Sequence, residues 1–244
     1  MPAVPGPPAP PSPAAAPLLT PVAGRAPRSR RHSVGIWWLA LTALAIAVVA
    51  PLPYLTETLD RLANEDADLA ANYADRPAWV QAFFYTHIVA AGIALFLSPL
   101  QLSGRIRRRA PRLHRATGRV VIVGIFIGGA AGLVLSPMNV ADEIGFAGFG
   151  ALALLWLTFA AAGLRAILHG DVAAHRRWML RAFAMTYAAV TLRLWLLILV
   201  PAIGDFRDAY VFVPFLCWVP NLIVVELVLR RSGTARAQLR PQSG

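Results

Sequence analysis

The chain has 244 residues, of which 57% are hydrophobic and 14% are charged, and its mean hydropathy is +0.58. This composition excludes an ordinary water-soluble globular domain and predicts an integral membrane protein. The formal net charge is +11, and arginine supplies all the basic side chains other than histidine because the sequence contains no lysine. A single cysteine, Cys217, excludes a disulfide framework and a paired-thiol site within the chain.

Six apolar stretches can each cross a membrane as a helix. A spanning helix needs about 20 consecutive apolar residues, and backbone groups in hydrocarbon must be hydrogen-bonded within the protein. We therefore predict an all-α fold, a polytopic membrane helix bundle of about six transmembrane helices within residues 34–231. The predicted spans are 35–55, 79–100, 118–137, 146–168, 178–203 and 210–229.

Charge alternates between successive connections and predicts the orientation. Residues 1–33, the second and fourth connections and the C-terminal end carry most arginines, whereas the first, third and fifth connections carry most acidic residues. The positive-inside tendency places both termini in the cytoplasm of a bacterial cell, in a multi-pass inner-membrane protein. Anionic lipids are the expected partners of these arginines, and nucleic acid is not. Residues 1–33, rich in Pro and Ala, are predicted to be a disordered tail, and 232–244 a basic tail.

Two polar side chains are predicted to lie inside the hydrocarbon. An arginine at the centre of a spanning helix costs roughly 2.5–3.5 kcal/mol unless it is paired or hydrated. At about 1.5 Å per residue, His87 and Arg193 lie roughly 12 Å and 15 Å from the outer ends of the second and fifth spans. We predict that they meet in a site for an anionic or carbonyl-bearing ligand, with the hydroxyls of Tyr187 and Thr191 nearby. The alternative is that these side chains only lock helices together.

Histidines also mark the predicted cytoplasmic ends of the helices. His114 and His175 match the arrangement in which membrane b-type cytochromes hold haem between facing helices, so both are candidate haem b ligands. His87 with Met185 is a second candidate pair. The spacing of His169 and His175 is not a known metal signature, and neighbouring arginines repel cations, so no metal site is predicted. The alternative is that His114 and His175 cap helices and contact lipid phosphates.

The third span carries a stripe of small residues. Gly124, Gly128, Gly129 and Gly132 repeat at about four-residue spacing, which is typical of close helix contacts in lipid. We expect this stripe to pack against the fourth span.

Three motifs in order resemble a known bacterial family. The motifs are HIVAAGIALFLSPLQL from His87, Leu113-His114-Arg115 with Gly118-Arg119, and Ala174-His175-Arg176-Arg177-Trp178-Met179 with Arg181, followed by Thr191-Leu192-Arg193-Leu194. With these motifs the chain resembles, over about residues 79–193, the family catalogued as domain of unknown function 2306. The resemblance implies a multi-spanning inner-membrane protein whose activity is uncharacterised.

The sequence leaves three classes of function open. The favoured hypothesis is a membrane redox protein that binds a b-type haem or a quinone. The alternatives are a small-solute or proton-coupled permease, and a non-catalytic scaffold that joins a membrane partner or a second copy of itself.

Overall fold

The computed structural model describes residues 6, 30–65 and 68–238. Within this part of the chain all regular structure is helical, and six segments are long and apolar enough to cross a membrane. The predicted all-α membrane bundle is therefore confirmed. We name the segments M1 to M6 in chain order: Trp37–Thr56, Ala78–Leu102, Pro111–Met138, Asp142–Leu168, Val172–Ile203 and Phe206–Ser232.

Several segments consist of more than one helix. Proline contributes to these breaks because it has no N–H group and cannot continue a helix without losing a hydrogen bond. The helices are Arg30–Val49 and Leu52–Thr56 in M1, Leu59–Asn64 and Asp68–Ala74 in the first connection, Ala78–Leu102 in M2, Gly104–Arg109 in the second connection, Pro111–Leu135 with the 3₁₀ turn Ser136–Met138 in M3, Asp142–Leu168 in M4, Val172–Thr186 and Ala188–Ile203 in M5, and Phe206–Tyr210, Val213–Leu216 and Val219–Gln238 in M6.

The predicted terminal tails fall largely outside the described residues. Of residues 1–33, the structure describes only 6 and 30–33, and the last four belong to the first helix of M1. At the other end, the helix of M6 continues to Gln238, and residues 239–244 lie outside the described part.

The two ends of the bundle differ in charge. We call the end that holds the second and fourth connections the arginine-rich face, and the opposite end the acidic face. The short helix Gly104–Arg109 carries exposed arginines on the arginine-rich face. On the acidic face, Asp60 and Glu65 of the first connection are exposed.

Glycines bring M3 into close contact with M2. A Cβ atom on Gly124 would lie 2.9 Å from the carbonyl oxygen of Ala90 in M2, and Gly128 and Gly132 also face M2. A larger side chain would push the two backbones apart. The expected packing of this stripe on M4 was therefore wrong for three of its four glycines. Gly129 alone of the four faces M4, because it directly follows Gly128 and successive helical residues are rotated by roughly 100°.

Indole hydrogen bonds join M4 to M5 and M6. Trp156 Nε1 of M4 donates to Thr186 Oγ1 of M5 at 2.9 Å, and Trp218 Nε1 of M6 donates to the carbonyl oxygen of Gly148 in M4 at 3.2 Å. Polar groups inside a membrane protein need internal partners. These bonds therefore set the relative positions of the three helices.

M1 packs on the bundle through a narrow strip. Trp37 and Trp38 are 67% and 62% exposed, whereas Ala43 is fully buried. Next to Ala43, Thr42 Oγ1 and the Tyr187 hydroxyl of M5 form a hydrogen bond of 2.6 Å. This contact with M5 thus lies in the half of M1 that is farther from the acidic face.

The first connection covers part of the acidic face. We call its two helices, Leu59–Asn64 and Asp68–Ala74, the cap. Asn72 Nδ2 of the cap donates to the carbonyl oxygen of Met138 at 2.8 Å, which attaches the cap to the end of M3. Leu62 of the cap is buried and shares a hydrophobic cluster with Leu135 of M3.

Candidate functional site

A cavity of about 580 Å³ lies in the half of the bundle nearer the acidic face. All six spans and the cap contribute to its lining. The volume lies within the range of small-molecule sites. His87 and Arg193 both line this cavity, so the fold brings together the two polar side chains that the sequence places inside the hydrocarbon.

M3 holds the imidazole of His87. Nδ1 lies 2.8 Å from the carbonyl oxygen of Gly128, and because a carbonyl can only accept, Nδ1 carries the hydrogen. Nε2 of the neutral ring then keeps its unshared electron pair. Nε2 has no hydrogen-bond partner among the described residues. Because every fully enclosed polar side-chain atom of those residues does have a partner, Nε2 is not fully enclosed and is accessible from the cavity as an acceptor.

Arg193 presents a cationic donor to the same cavity. Its Nη1 donates to the carbonyl oxygen of Ala189, one helical turn earlier, at 2.9 Å. Among the described residues no carboxylate lies within ion-pair distance of the guanidinium. Its electrostatic neighbours are His87, Tyr54 and Tyr210. Further N–H groups of Arg193 are therefore available to a hydrogen-bond acceptor in the cavity.

Aromatic rings form much of the wall near the acidic face. Tyr73 stacks on Phe84 with centroids 4.5 Å apart, and Tyr54 meets Phe84 edge-on at 5.3 Å. Tyr210 packs against Phe206 at 5.2 Å. Burial raises the pKa of Tyr73 to about 12, which keeps its hydroxyl neutral at ordinary pH.

Tyr187 and Thr191, predicted to accompany His87 and Arg193, do not line the cavity. The Tyr187 hydroxyl bonds to Thr42 of M1, and Thr191 Oγ1 donates to Asn221 Oδ1 of M6 at 3.1 Å. Successive helical residues are rotated by roughly 100°, so Thr191 points about 200° away from Arg193. Both hydroxyls join helices instead.

His114 and His175 lie close enough to each other, toward the arginine-rich face, to interact electrostatically. His175 Nδ1 donates to the carbonyl oxygen of Gly163 at 2.8 Å, which leaves its Nε2 able to bind a metal. Gln101, in the amide orientation that satisfies both its ends, donates to His114 Nδ1 at 3.1 Å. His114 then carries its hydrogen on Nε2, opposite to the tautomer that an Nε2 haem ligand requires.

The remaining candidate ligands are separated from that pair. His169 is exposed, and its Nδ1 bonds to the carbonyl oxygen of Arg165 in its own helix. Met185 is buried and lines the same cavity as His87. In the part of the chain that the structure describes, no three His, Cys, Asp or Glu side chains are grouped around one metal position.

Comparison with known proteins agrees with the fold. The model of a family described as "Predicted membrane protein (DUF2306)" matches residues 84–229, more than half of the chain. The chain belongs to this family. No curated protein and no solved structure is significantly similar to it.

The DUF2306 match divides the cavity into two parts. His87 and Arg193 lie within the matched range, as do the glycines of M3 that position His87. M1 and the cap precede residue 84 and lie outside it. The polar site therefore belongs to the family region, while one side of the enclosure is built by the preceding part of the chain.

Sequence reasoning missed three tyrosines that line the cavity, Tyr54, Tyr73 and Tyr210. Each lies near the acidic end of its element, where tyrosine is ordinary in an interfacial aromatic belt. Only their rotation toward Arg193 distinguishes them. The available signal was the presence of tyrosine rather than phenylalanine on a helix face that points into the bundle. The sequence does not show which face that is.

Proposed function

We propose that this protein binds a membrane quinone in the cavity between His87 and Arg193, as a ligand-binding component of a redox system. The observation that carries this proposal is the presence of one neutral acceptor and one cationic donor in the same cavity. The remaining lining is mostly apolar and aromatic, and its further polar members include Asp68 of the cap, Ser136, Asn139 and Thr186.

The two side chains complement the two forms of a quinone. A quinone oxygen only accepts hydrogen bonds, and Arg193 only donates them. A quinol hydroxyl donates, and Nε2 of His87 accepts. Deprotonation of a bound quinol would transfer its proton to Nε2, while the positive charge of Arg193 stabilises a developing quinolate oxygen. The pair can therefore hold the head group in either protonation state.

The walls suit a flat ring. Phe84, Phe149 and Trp156 all line the cavity, and aromatic faces stack or pack edge-on with other rings. The volume of about 580 Å³ accommodates a single substituted ring. Because the site lies within the spans, it is suited to a ligand that partitions into the bilayer.

Binding of a tailless quinone is the direct test. Trp156 lines the cavity, so 2,3-dimethoxy-5-methyl-1,4-benzoquinone should quench tryptophan fluorescence of the detergent-purified protein with saturation. We expect Arg193→Gln to weaken this binding about tenfold, corresponding to roughly 1.4 kcal/mol. His87→Asn can still donate to Gly128 but lacks the Nε2 acceptor, so it should weaken quinol binding in particular. Quenching without saturation in the native protein would contradict the proposal.

A matched control exists at the other end of the bundle. His175 also donates through Nδ1 to a backbone carbonyl, but it does not line the cavity. His175→Asn should therefore leave quinone binding unchanged. Equal losses in His87→Asn and His175→Asn would indicate a general effect on folding.

A reduced-minus-oxidised visible spectrum separates the haem hypothesis from this one. A Soret band with sharp α and β peaks, lost in His114→Ala or His175→Ala, would establish a cytochrome. Solute flux abolished by His87→Ala would indicate a permease. Normal assembly and activity after replacement of both His87 and Arg193 would favour a scaffold bound to a membrane partner or to a second copy.

We further propose that the arginine-rich face lies in the cytoplasm of a bacterial inner membrane, against anionic lipid headgroups. The exposed arginines of Gly104–Arg109 support this orientation. A cysteine introduced at exposed Asn64 of the cap should react with a membrane-impermeant thiol reagent in intact cells. A cysteine at exposed Arg108 should react only after the cells are opened. The native Cys217 is buried and contributes little background.

A further inference from the structure

M1 and M5 make contact in the half of M1 that lies farther from the acidic face. Ala43 and Val190 share one buried cluster there, beside the hydrogen bond from M1 to M5. Six residues further along M1, Val49 lines the cavity. The first helix of M1 ends at Val49, just before Pro51. Both spans therefore take part in the cavity wall with their halves nearer the acidic face.

These halves border the cavity from both sides. Val49, Ala50 and Pro53 line it from M1, and Leu192 and Leu196 line it from M5. Val49 is at the same time 64% exposed, so the cavity reaches the surface of the bundle at this helix. Val49 and Leu196 each lie about 10 Å from the acidic ends of their spans, a depth within hydrocarbon.

The surface around this opening is apolar. Leu52 of M1 is 51% exposed, and Leu197 and Ile198 of M5 are 73% and 58% exposed. Exposed leucine and isoleucine at this depth contact lipid chains. An opening with such a rim admits a hydrocarbon chain and disfavours a charged solute, because charge transfer through hydrocarbon is costly.

We infer that the ligand is a tailed lipid and that its tail leaves the cavity between M1 and M5, through a portal formed by Val49, Ala50, Pro53, Leu192 and Leu196. This inference rests on the proposed function, since it requires a quinone head group near His87 and Arg193. Arg193 lies one turn from Leu196 in M5, so a head group held by Arg193 has its tail position beside the portal. Quinone exchange then takes place laterally with the bilayer.

The test compares a substitution that fills the portal with one that adds the same bulk beside it. Val49→Trp places a large ring in the portal, whereas Val48→Trp adds the same ring at a site that is 48% exposed and does not line the cavity. Each variant is purified in detergent and assayed with two isotope-labelled quinones. One is the tailless benzoquinone, and the other has the same ring with a ten-isoprene tail. Size-exclusion profiles and thermal unfolding check that each variant is folded.

We expect Val49→Trp to weaken binding of the long-tailed quinone about tenfold and to change that of the tailless quinone by less than about twofold. Val48→Trp should change neither. Equal effects of Val49→Trp on both quinones, or none on the long-tailed one, would overturn the portal while the proposed function stands. Binding of neither quinone by the native protein would overturn both. If Val49→Trp does not fold, Leu196→Trp closes the portal from M5 and is judged by the same outcomes.

Discussion

His87 Nδ1 of M2 donates to the carbonyl oxygen of Gly128 in M3 across a distance of 2.8 Å. The same helix contact that requires glycine in M3 therefore also orients the imidazole and assigns its tautomer. Packing and site chemistry are coupled here, so changes to the glycine face of M3 should alter ligand binding as well as stability.

Gly132→Ala tests this coupling. The added Cβ would lie 2.9 Å from His87 Nδ1 and 3.0 Å from Cε1, so the ring has to move. We expect a loss of about 1–3 kcal/mol in stability from overpacking and about tenfold weaker quinone binding. Gly92→Ala, whose Cβ would meet only a backbone oxygen at 3.8 Å, is the control. Unchanged binding in Gly132→Ala would show that the position of the ring is not required.

The raised pKa of Tyr73 predicts that the folded protein loses stability at alkaline pH. Its pKa is raised to about 12 by burial in the folded protein, compared with about 10 in an unfolded chain. The folded protein therefore holds this proton more tightly, and stability is unaffected below about pH 10 and falls by about 2–3 kcal/mol as the pH rises to about 12. Thermal unfolding across this range measures the effect. Tyr73→Phe should lose less stability than the native protein over the same range, and parallel curves would contradict the assignment.

The ion pair between Arg181 of M5 and Glu226 of M6 predicts a coupling between these helices. Arg181 Nε and Nη2 donate to the two carboxylate oxygens of Glu226 at 2.5 and 2.9 Å, and the guanidinium lies 4.8 Å from the Trp178 ring. The two side chains are 20% and 33% exposed. We expect a coupling energy of about 1–2 kcal/mol, between the values for exposed and buried pairs.

A double-mutant cycle with Arg181→Gln and Glu226→Gln measures this coupling from thermal or denaturant unfolding. Quinone binding should be unchanged in all three variants, since neither residue lines the cavity. Additive losses from the two single substitutions would show that the pair contributes nothing to stability.

Tyr187→Phe distinguishes a helix contact from a ligand contact. The substitution removes the hydrogen bond to Thr42, and such bonds between membrane helices contribute about 0.6 kcal/mol on average. We expect a small loss of stability, no further loss on adding Thr42→Val, and unaltered quinone affinity. Weaker binding without a change in stability would instead place Tyr187 at the ligand.

Local sequence properties were sufficient to predict the spans. The stretches predicted at 79–100 and 146–168 correspond to Ala78–Leu102 and Asp142–Leu168, because hydropathy is summed residue by residue and the bilayer thickness sets a minimum length. The start of M3 was predicted at residue 118 but lies at Pro111. Its first two turns are rich in arginine and carry no hydropathy signal, although they are helical.

The positions of His87 and Arg193 along their helices were also evident from the sequence alone. Their depths follow from the helical rise, and the cost of burying them marked both as unusual. Tertiary structure decided which way each helix is rotated. Rotation turned Thr191 toward Asn221 and Arg193 toward the cavity, and it turned most of the M3 glycines toward M2. A uniformly apolar helix has little polar asymmetry to fix its rotation, so only contacts with neighbouring helices determine which side chains meet.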